Sequence, residues 1–188
     1  GIEIVAHDIK RRIKMNPKFD VCGLDASNAF NRSNRLRGLQ QVMEHVPALL
    51  PFVRDMYLDS SSGWFYGLDE GINEIVSNLG YHQGDVLATW LYAMTNQPLI
   101  KAVNNAIIAE YPNEGDNYTQ KWYVDDLNVA ADSKIMKIVI RMLSELGPKY
   151  GYIINPSKSV YLMGIRDNYD KAIRDKQEIG RASCRERV

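Results

Sequence analysis

Two adjacent carboxylates, Asp125 and Asp126, stand between two short apolar runs, and that junction constrains the fold more than any other stretch of the chain. Trp122, Tyr123 and Val124 lead in with strand-forming side chains; Leu127, Val129 and Ala130 lead out the same way. Aspartate is among the poorest strand residues, so the pair belongs at the tip of a hairpin, with both carboxylates facing one small volume. Two like charges that close repel unless a cation or a proton stands between them. Taken alone, an Asp-Asp pair is an acidic surface turn. Its company elsewhere in the chain decides whether it is more.

The chain has 188 residues, 45% of them hydrophobic and 24% charged, which is enough for a real core of ordinary globular composition. Lysine plus arginine balance aspartate plus glutamate at 23 each, so net charge does not announce a polyanion binder. No apolar run approaches a membrane span and no signal-peptide pattern opens the sequence. An intracellular location, cytoplasm or nucleus, is therefore expected, with no membrane partner and no secretion. The start at Gly1 rather than Met suggests an excised piece of a longer protein.

The last eleven residues, Glu178 to Val188, resemble the translation of a short-read sequencing adapter. They are set aside as a non-native tail, leaving 1–177 as the native stretch. The alternative is a basic disordered tail. Without it, 20 basic residues face 21 acidic ones, and Cys22 is the cysteine that remains. One cysteine makes no internal disulfide, which fits a reducing compartment.

In chain order, Ile4, Val5, Ile9 and Ile13 have the spacing of an amphipathic helix over 2–15, closed by Pro17. His7 reads as a boundary or packing residue, since no second histidine stands at ligand spacing. Val21, Cys22 and Leu24 suit a buried strand, with Asp25 where that strand ends, either a catalytic acid or a helix cap. Leu36, Leu39, Val42 and Met43, then Leu50, Phe52, Val53, Met56 and Tyr57, make two helical stripes broken at Pro47 and Pro51. Ser60 to Gly63 reads as a turn, and Trp64 to Tyr66 with Ile72 to Val76 as a hairpin across Asp69-Glu70-Gly71.

Gln83-Gly84-Asp85 places a flexible glycine and a capping acid before a long helix of Leu87, Trp90, Leu91, Met94, Leu99, Val103 and Ile107, which Pro98 should kink or interrupt. After a polar loop at Tyr111 to Asn117 and the Asp-Asp hairpin, Ser133 can cap a helix carrying Ile135, Ile138, Val139 and Leu143, loosened at Gly147 and Pro148. Gly151 to Leu162 reads as strand, turn, strand, with Lys158 just past the turn. A polar helical segment over 164–177 ends the native stretch.

Four of these pieces, in order over residues 19–162, resemble the palm of a reverse transcriptase. They are Leu24-Asp25-Ala26-Ser27-Asn28-Ala29-Phe30; Gln83-Gly84-Asp85; Tyr123-Val124-Asp125-Asp126; and Gly151 with Asn155 and Lys158. Ser-Asn-Ala-Phe-Asn and Gly-Pro-Lys-Tyr-Gly-Tyr are closer in style to enzymes of mobile retroelements, of the non-LTR kind, than to retroviral ones. The resemblance implies an α+β polymerase palm, an antiparallel sheet with the Asp-Asp hairpin and helices packed on one face, with part of the fingers. It implies template-directed DNA synthesis on an RNA or DNA template with a primer, from deoxynucleoside triphosphates. Protein partners are unknown.

By the same resemblance, Asp25 and Asp125 would bridge two Mg2+ ions about 3.5–4 Å apart, with the Ala26 carbonyl helping at the second and Asp126 in support. Mn2+ could substitute. Phe30 would pack on the deoxyribose and reject a 2′-hydroxyl, or else be plain core. Amides at Asn28 and Ala29 would meet the triphosphate, Gln83 and Gly84 would lie along the nucleotide, and Tyr123 would join them. Lys158 would protonate the leaving pyrophosphate.

Basic fingers residues, most of a thumb and any nuclease domain are missing from these 188 residues, so the fragment is expected to be weakly active or inactive. Three alternatives stay open: a catalytically silent nucleic-acid-binding palm, an RNA-dependent RNA polymerase, and a non-enzymatic α+β domain whose Asp25 lies far from Asp125 and Asp126.

Overall fold

Alternation along one strand builds the centre of the fold. In the computed structural model, which describes residues 2–58, 61–66, 72–113 and 117–165, strand β1 (Asp20–Leu24) buries Asp20, Cys22 and Leu24 and leaves Val21 and Gly23 half-buried. This period of two is what a strand covered well on one face requires. β1 pairs antiparallel with β5 (Asp126–Ala131) on one side and with β6 (Val160–Leu162) on the other. Strand β4 (Tyr118–Tyr123) pairs antiparallel with β5, giving the sheet order β4-β5-β1-β6.

Three helices belong with this sheet: α1 (Ile2–Met15), the later part of α5 (Ala88–Glu110) and α6 (Ser133–Tyr150). They form one compact unit, made of described residues up to Ser27 and from Pro98 onward. Its core joins Cys22, Leu24, Leu127 and Val129 of the sheet to Ile135, Met136, Val139 and Leu143 of α6, all buried. Each such side chain contributes about 1.5–3 kcal/mol on leaving water.

The helices are not confined to one sheet face. Asp8 of α1 accepts a hydrogen bond from Thr119 Oγ1 at 3.0 Å and pairs with Lys121 Nζ at 3.7 Å. On the alternate positions of β4, Tyr118 and Gln120 donate to Asn104 of α5 at 3.0 and 2.5 Å. Successive strand residues point to opposite faces, so α1 and α5 grip opposite faces of β4.

The second unit, Asn28–Gln97, holds α2 (Ala29–Arg32), α3 (Arg35–His45), a 3-10 turn (Pro47–Leu49), α4 (Leu50–Tyr57), the hairpin β2 (Ser61–Tyr66) and β3 (Ile72–Ser77), and the start of α5. Residues Ser61 to Gly63, expected as a turn, are strand, because pairing of Ser61 with Ser77 through to Tyr66 with Ile72 overrides their weak strand preference. The Asp69-Glu70-Gly71 turn lies outside the described residues, as do Glu114 to Asp116 of the polar loop and everything beyond 165, including the tail.

Other expectations change in detail. On α3 and α4 the buried residues are Arg35, Gly38, Leu39, Val42, Val53 and Tyr57, while Leu36, Met43, Phe52 and Met56 are exposed. Pro51 sits in the first turn of α4 and does not break it, since the first-turn N–H has no helical partner to lose. α5 runs through Pro98 without interruption. Asp132, not Ser133, occupies the N-cap of α6, and that helix continues through Gly147 and Pro148 to Tyr150. The first strand expected after Gly151 is a single bridge, Ala26 with Ile154, and Lys158 lies within the turn. Among the described residues no helix is long and apolar enough to cross a membrane.

Candidate active site

A hairpin does form here, but Asp125 shares its tip with Val124, and Asp126 opens β5. Tyr123 faces Asp126 at the end of the β4–β5 ladder, so Val124 and Asp125 form a two-residue turn. Val124, expected in the strand, is at φ 56. A β-branched residue rarely enters the left-handed region, so the turn holds local strain at its tip.

Register then carries Asp25 to the pair. Leu24 faces Leu127 across β1 and β5, and one further step along both strands sets Asp25 beside Asp126. Asp126 is exposed as a residue, yet partial desolvation of its carboxyl, and then the charges of Asp125 and Asp25, hold it above the ordinary 3.8. Asp25 is thus not remote from the pair, as a merely decorative acidic hairpin would have it. Among the described residues no group of three His, Cys, Asp or Glu side chains is gathered as a metal cage. The three acids share a field and supply only hard oxygen donors, which suits Mg2+ in kind. Mutual repulsion at this spot is what a divalent ion relieves.

The backbone at Asp25 is fixed from the fourth motif. Its N–H donates to Ser159 Oγ at 3.1 Å, and its carbonyl accepts from Asn155 N–H at 2.8 Å. Ser159 Oγ in turn donates to the Asn155 carbonyl at 2.8 Å. Ser27 N–H donates to the Ile153 carbonyl at 2.7 Å, so the bridge at Ala26 is made by its flanking residues, and the Ala26 carbonyl takes no part in it. Asn155 Oδ1 also accepts from Ser157 N–H and Oγ, holding the turn that carries Lys158. The Lys158 side chain is exposed, one residue before Ser159.

Ser159 was not legible as part of the site. The only signal was a hydroxyl-rich turn, Asn155-Pro156-Ser157-Lys158-Ser159, and hydroxyls in turns usually bond locally.

The second unit carries the other residues singled out from the sequence. Asn28 is exposed at φ 50 before α2, and Ala29 is buried. The Phe30 ring stacks on Tyr92, with centroids 5.0 Å apart and planes at 26°. Its carbonyl accepts from Tyr81 N–H at 2.8 Å, while Gly80 N–H donates to the Ser33 carbonyl at 2.9 Å. These bonds tie the start of the Gln83 loop to Phe30. Gly80 has no room for a side chain, since a Cβ would stand 2.2 Å from the Phe30 carbonyl oxygen.

Asp85, expected as the cap of the long helix, stands three residues before α5 begins at Ala88 and instead closes a local turn, accepting from Leu87 N–H at 2.7 Å. Gln83 and Gly84 stay exposed at the tip of the loop, Gly84 at φ 97. Asp85 also accepts from the Tyr57 hydroxyl at 2.5 Å, which holds its carboxyl below the ordinary 3.8. Burial, then the Asp85 carboxylate, pushes the Tyr57 phenol up. In the sequence Tyr57 is only one member of an apolar stripe.

No protein-family profile and no curated protein matches the chain. Solved structures do. An apo telomerase from Candida tropicalis truncated from its C-terminal domain aligns over 89% of this chain and 36% of its own, at 15% identity and a TM-score of 0.65. A telomerase from Candida albicans in complex with a TWJ fragment of telomeric RNA aligns over 86% of this chain and 31% of its own, at 14% identity and a TM-score of 0.64. A second apo telomerase from Candida tropicalis gives 13% identity and a TM-score of 0.65 over 86% of this chain and 32% of its own. The chain thus spans about a third of the length of these proteins. At such identities the likeness is one of fold: mixed helices and antiparallel sheet arranged as in the matched part of these telomerases.

Proposed function

We propose that this chain is the palm, with part of the fingers, of an RNA-directed DNA polymerase from a mobile retroelement of the non-LTR kind. The observation that carries the reading is the shared field of Asp25, Asp125 and Asp126, three acids brought by strand register to one end of β1 and β5. Asp25 and Asp125 would hold two Mg2+ ions, or Mn2+, with the Ala26 carbonyl as a further ligand and Asp126 in support. When bound, the ions activate the primer 3′-hydroxyl and neutralise the triphosphate and leaving group.

The protein's own groups position and discriminate. Phe30, backed by Tyr92, offers a flat wall to the sugar and excludes a 2′-hydroxyl by bulk. Amides at Asn28 and Ala29 bind the triphosphate, Gln83 and Gly84 lie along the nucleotide, and Tyr123 flanks it from beside Asp126. Lys158 Nζ gives a proton to pyrophosphate. The telomerase from Candida albicans is in complex with an RNA fragment, which agrees with an RNA-binding fold. Template with primer and deoxynucleoside triphosphates are the proposed partners here.

Single-nucleotide addition to a DNA primer on an RNA template, with protein in excess, tests the reading. Slow Mg2+-dependent addition of deoxynucleotides over ribonucleotides, abolished by Asp125→Ala, is the expected result. Addition that survives Asp125→Ala would overturn it. Mg2+-dependent nucleotide binding that is abolished by Asp125→Ala would argue against the catalytically silent palm.

A further inference from the structure

The segment from Ser77 to Leu87 is held at both ends. At its start, the buried Arg35 guanidinium donates to the Ser77 carbonyl at 3.0 Å, Ser77 Oγ at 3.0 Å, the Leu79 carbonyl at 3.2 Å and the Gly80 carbonyl at 2.5 Å. At its end, the Tyr57 hydroxyl donates to Asp85 Oδ2 at 2.5 Å while Asp85 Oδ1 accepts from Leu87 N–H at 2.7 Å. The two anchors touch: Arg35 lies over the Tyr57 ring, 5.6 Å from its centroid. The same ring meets Tyr81 edge-on at 5.2 Å, and Tyr81 is bonded through its hydroxyl to Thr95 at 2.7 Å.

Between the anchors His82, Gln83 and Gly84 are exposed. A Cβ at Gly84 would meet nothing within 4 Å, so no packing against Gly84 sets the shape of the tip. Its shape must come from the ends. Tyr57 is only 1% exposed, and its ring is sandwiched by a cation and two aromatic neighbours, so its hydroxyl has one direction in which to point. A charge-assisted bond from so fixed a donor orders the carboxylate that ends the loop ahead of α5.

We propose that Tyr57, seated beneath Arg35, is a positioning residue that fixes Asp85 and thereby the pose in which Gln83 and Gly84 meet an incoming deoxynucleoside triphosphate. The proposal rests on the reading of Gln83 given above. Tyr57 touches no nucleotide; it acts through Asp85.

The test is the equilibrium dissociation constant of a fluorescent deoxynucleoside triphosphate with Mg2+, read on the full chain well below its melting transition. Wild type, Gln83→Ala, Tyr57→Phe and Asp85→Asn are compared, each with its melting temperature. Tyr57→Phe keeps the ring under Arg35 and removes one hydroxyl. Asp85→Asn keeps an oxygen that accepts from Leu87 N–H and weakens the bond to the phenol. Both should bind nucleotide roughly three- to tenfold more weakly than wild type, the loss expected when a preorganised loop must be ordered on binding. A purely structural tyrosine would lower the melting temperature and leave the dissociation constant alone. If Gln83→Ala weakens binding and the other two variants do not, the positioning role is wrong and the functional reading stands. If Gln83→Ala binds as wild type does, the reading of the loop fails and the proposal with it.

Discussion

The Asp25 N–H donates to the hydroxyl of Ser159, 134 positions later in the chain, at 3.1 Å. One turn thereby holds the backbone of the acid that ends β1. Replacing Ser159 by Ala leaves that N–H without its acceptor, and should cost about 1–2 kcal/mol of stability in urea unfolding. It should also weaken divalent-cation binding, because Asp25 loses part of its support. An unchanged unfolding midpoint would count against the bond.

Val124 at φ 56 costs roughly 1–2 kcal/mol relative to a relaxed residue. Glycine accepts that conformation but gives back about 0.5–1 kcal/mol through its freer unfolded chain. Val124→Gly should therefore leave stability equal to wild type or raise it by up to about 1 kcal/mol, by calorimetry. A marked loss would show that the valine side chain packs in a way that repays the strain.

How much of this was readable beforehand follows from the range of each interaction. β1 ending just before Asp25, the β4–β5 hairpin, and helices α1, α5 and α6 were all legible, because period-two and helical spacing of apolar residues are local. The bonds of Ser159 and Asn155 to Asp25, and of Tyr57 to Asp85, are not local. They join polar atoms 28 to 134 positions apart, and a tyrosine in an apolar stripe gives no sign of where its hydroxyl points. Ser61 to Gly63 misled for a related reason: residues that favour turns pair as strand once Ile72 to Ser77 lies beside them. The exposed Leu36, Met43, Phe52 and Met56 show the limit of apolar stripes as a guide to the core, since here buried Arg35 and Tyr57 share the inner faces.

Two glycines of one loop should respond differently to alanine. At Gly80, φ is 69 and a Cβ would stand 2.2 Å from the Phe30 carbonyl oxygen and 2.3 Å from the Asn31 carbonyl carbon, backbone that cannot step aside. Gly80→Ala should cost about 3 kcal/mol or more. At Gly84 only the φ of 97 resists, so Gly84→Ala should cost about 1 kcal/mol. Paired denaturant titrations give the comparison, and equal costs would contradict the loop geometry.

The pH dependence has two opposite parts. Asp85 is held below the ordinary 3.8, chiefly by the Tyr57 hydroxyl, so its contribution is present above 3.8 and is lost as pH falls through its folded value. Asp126 is raised, chiefly by burial, so the fold favours its protonated form and its contribution declines as pH rises above 3.8. Melting temperature measured against pH should show a smaller acid-side loss in Tyr57→Phe than in wild type. Asp126→Asn should gain on wild type as pH rises, and a constant offset would argue against the carboxylate cluster.

Asp25 and Asp125, with Asp126 beside them, are proposed to form one divalent-cation site. Electron paramagnetic resonance of Mn2+ titrated into the chain tests it most directly. About two bound ions are expected, displaced by Mg2+ and lost or greatly weakened in both Asp25→Asn and Asp125→Asn. Mn2+ binding unchanged in the two variants would contradict it.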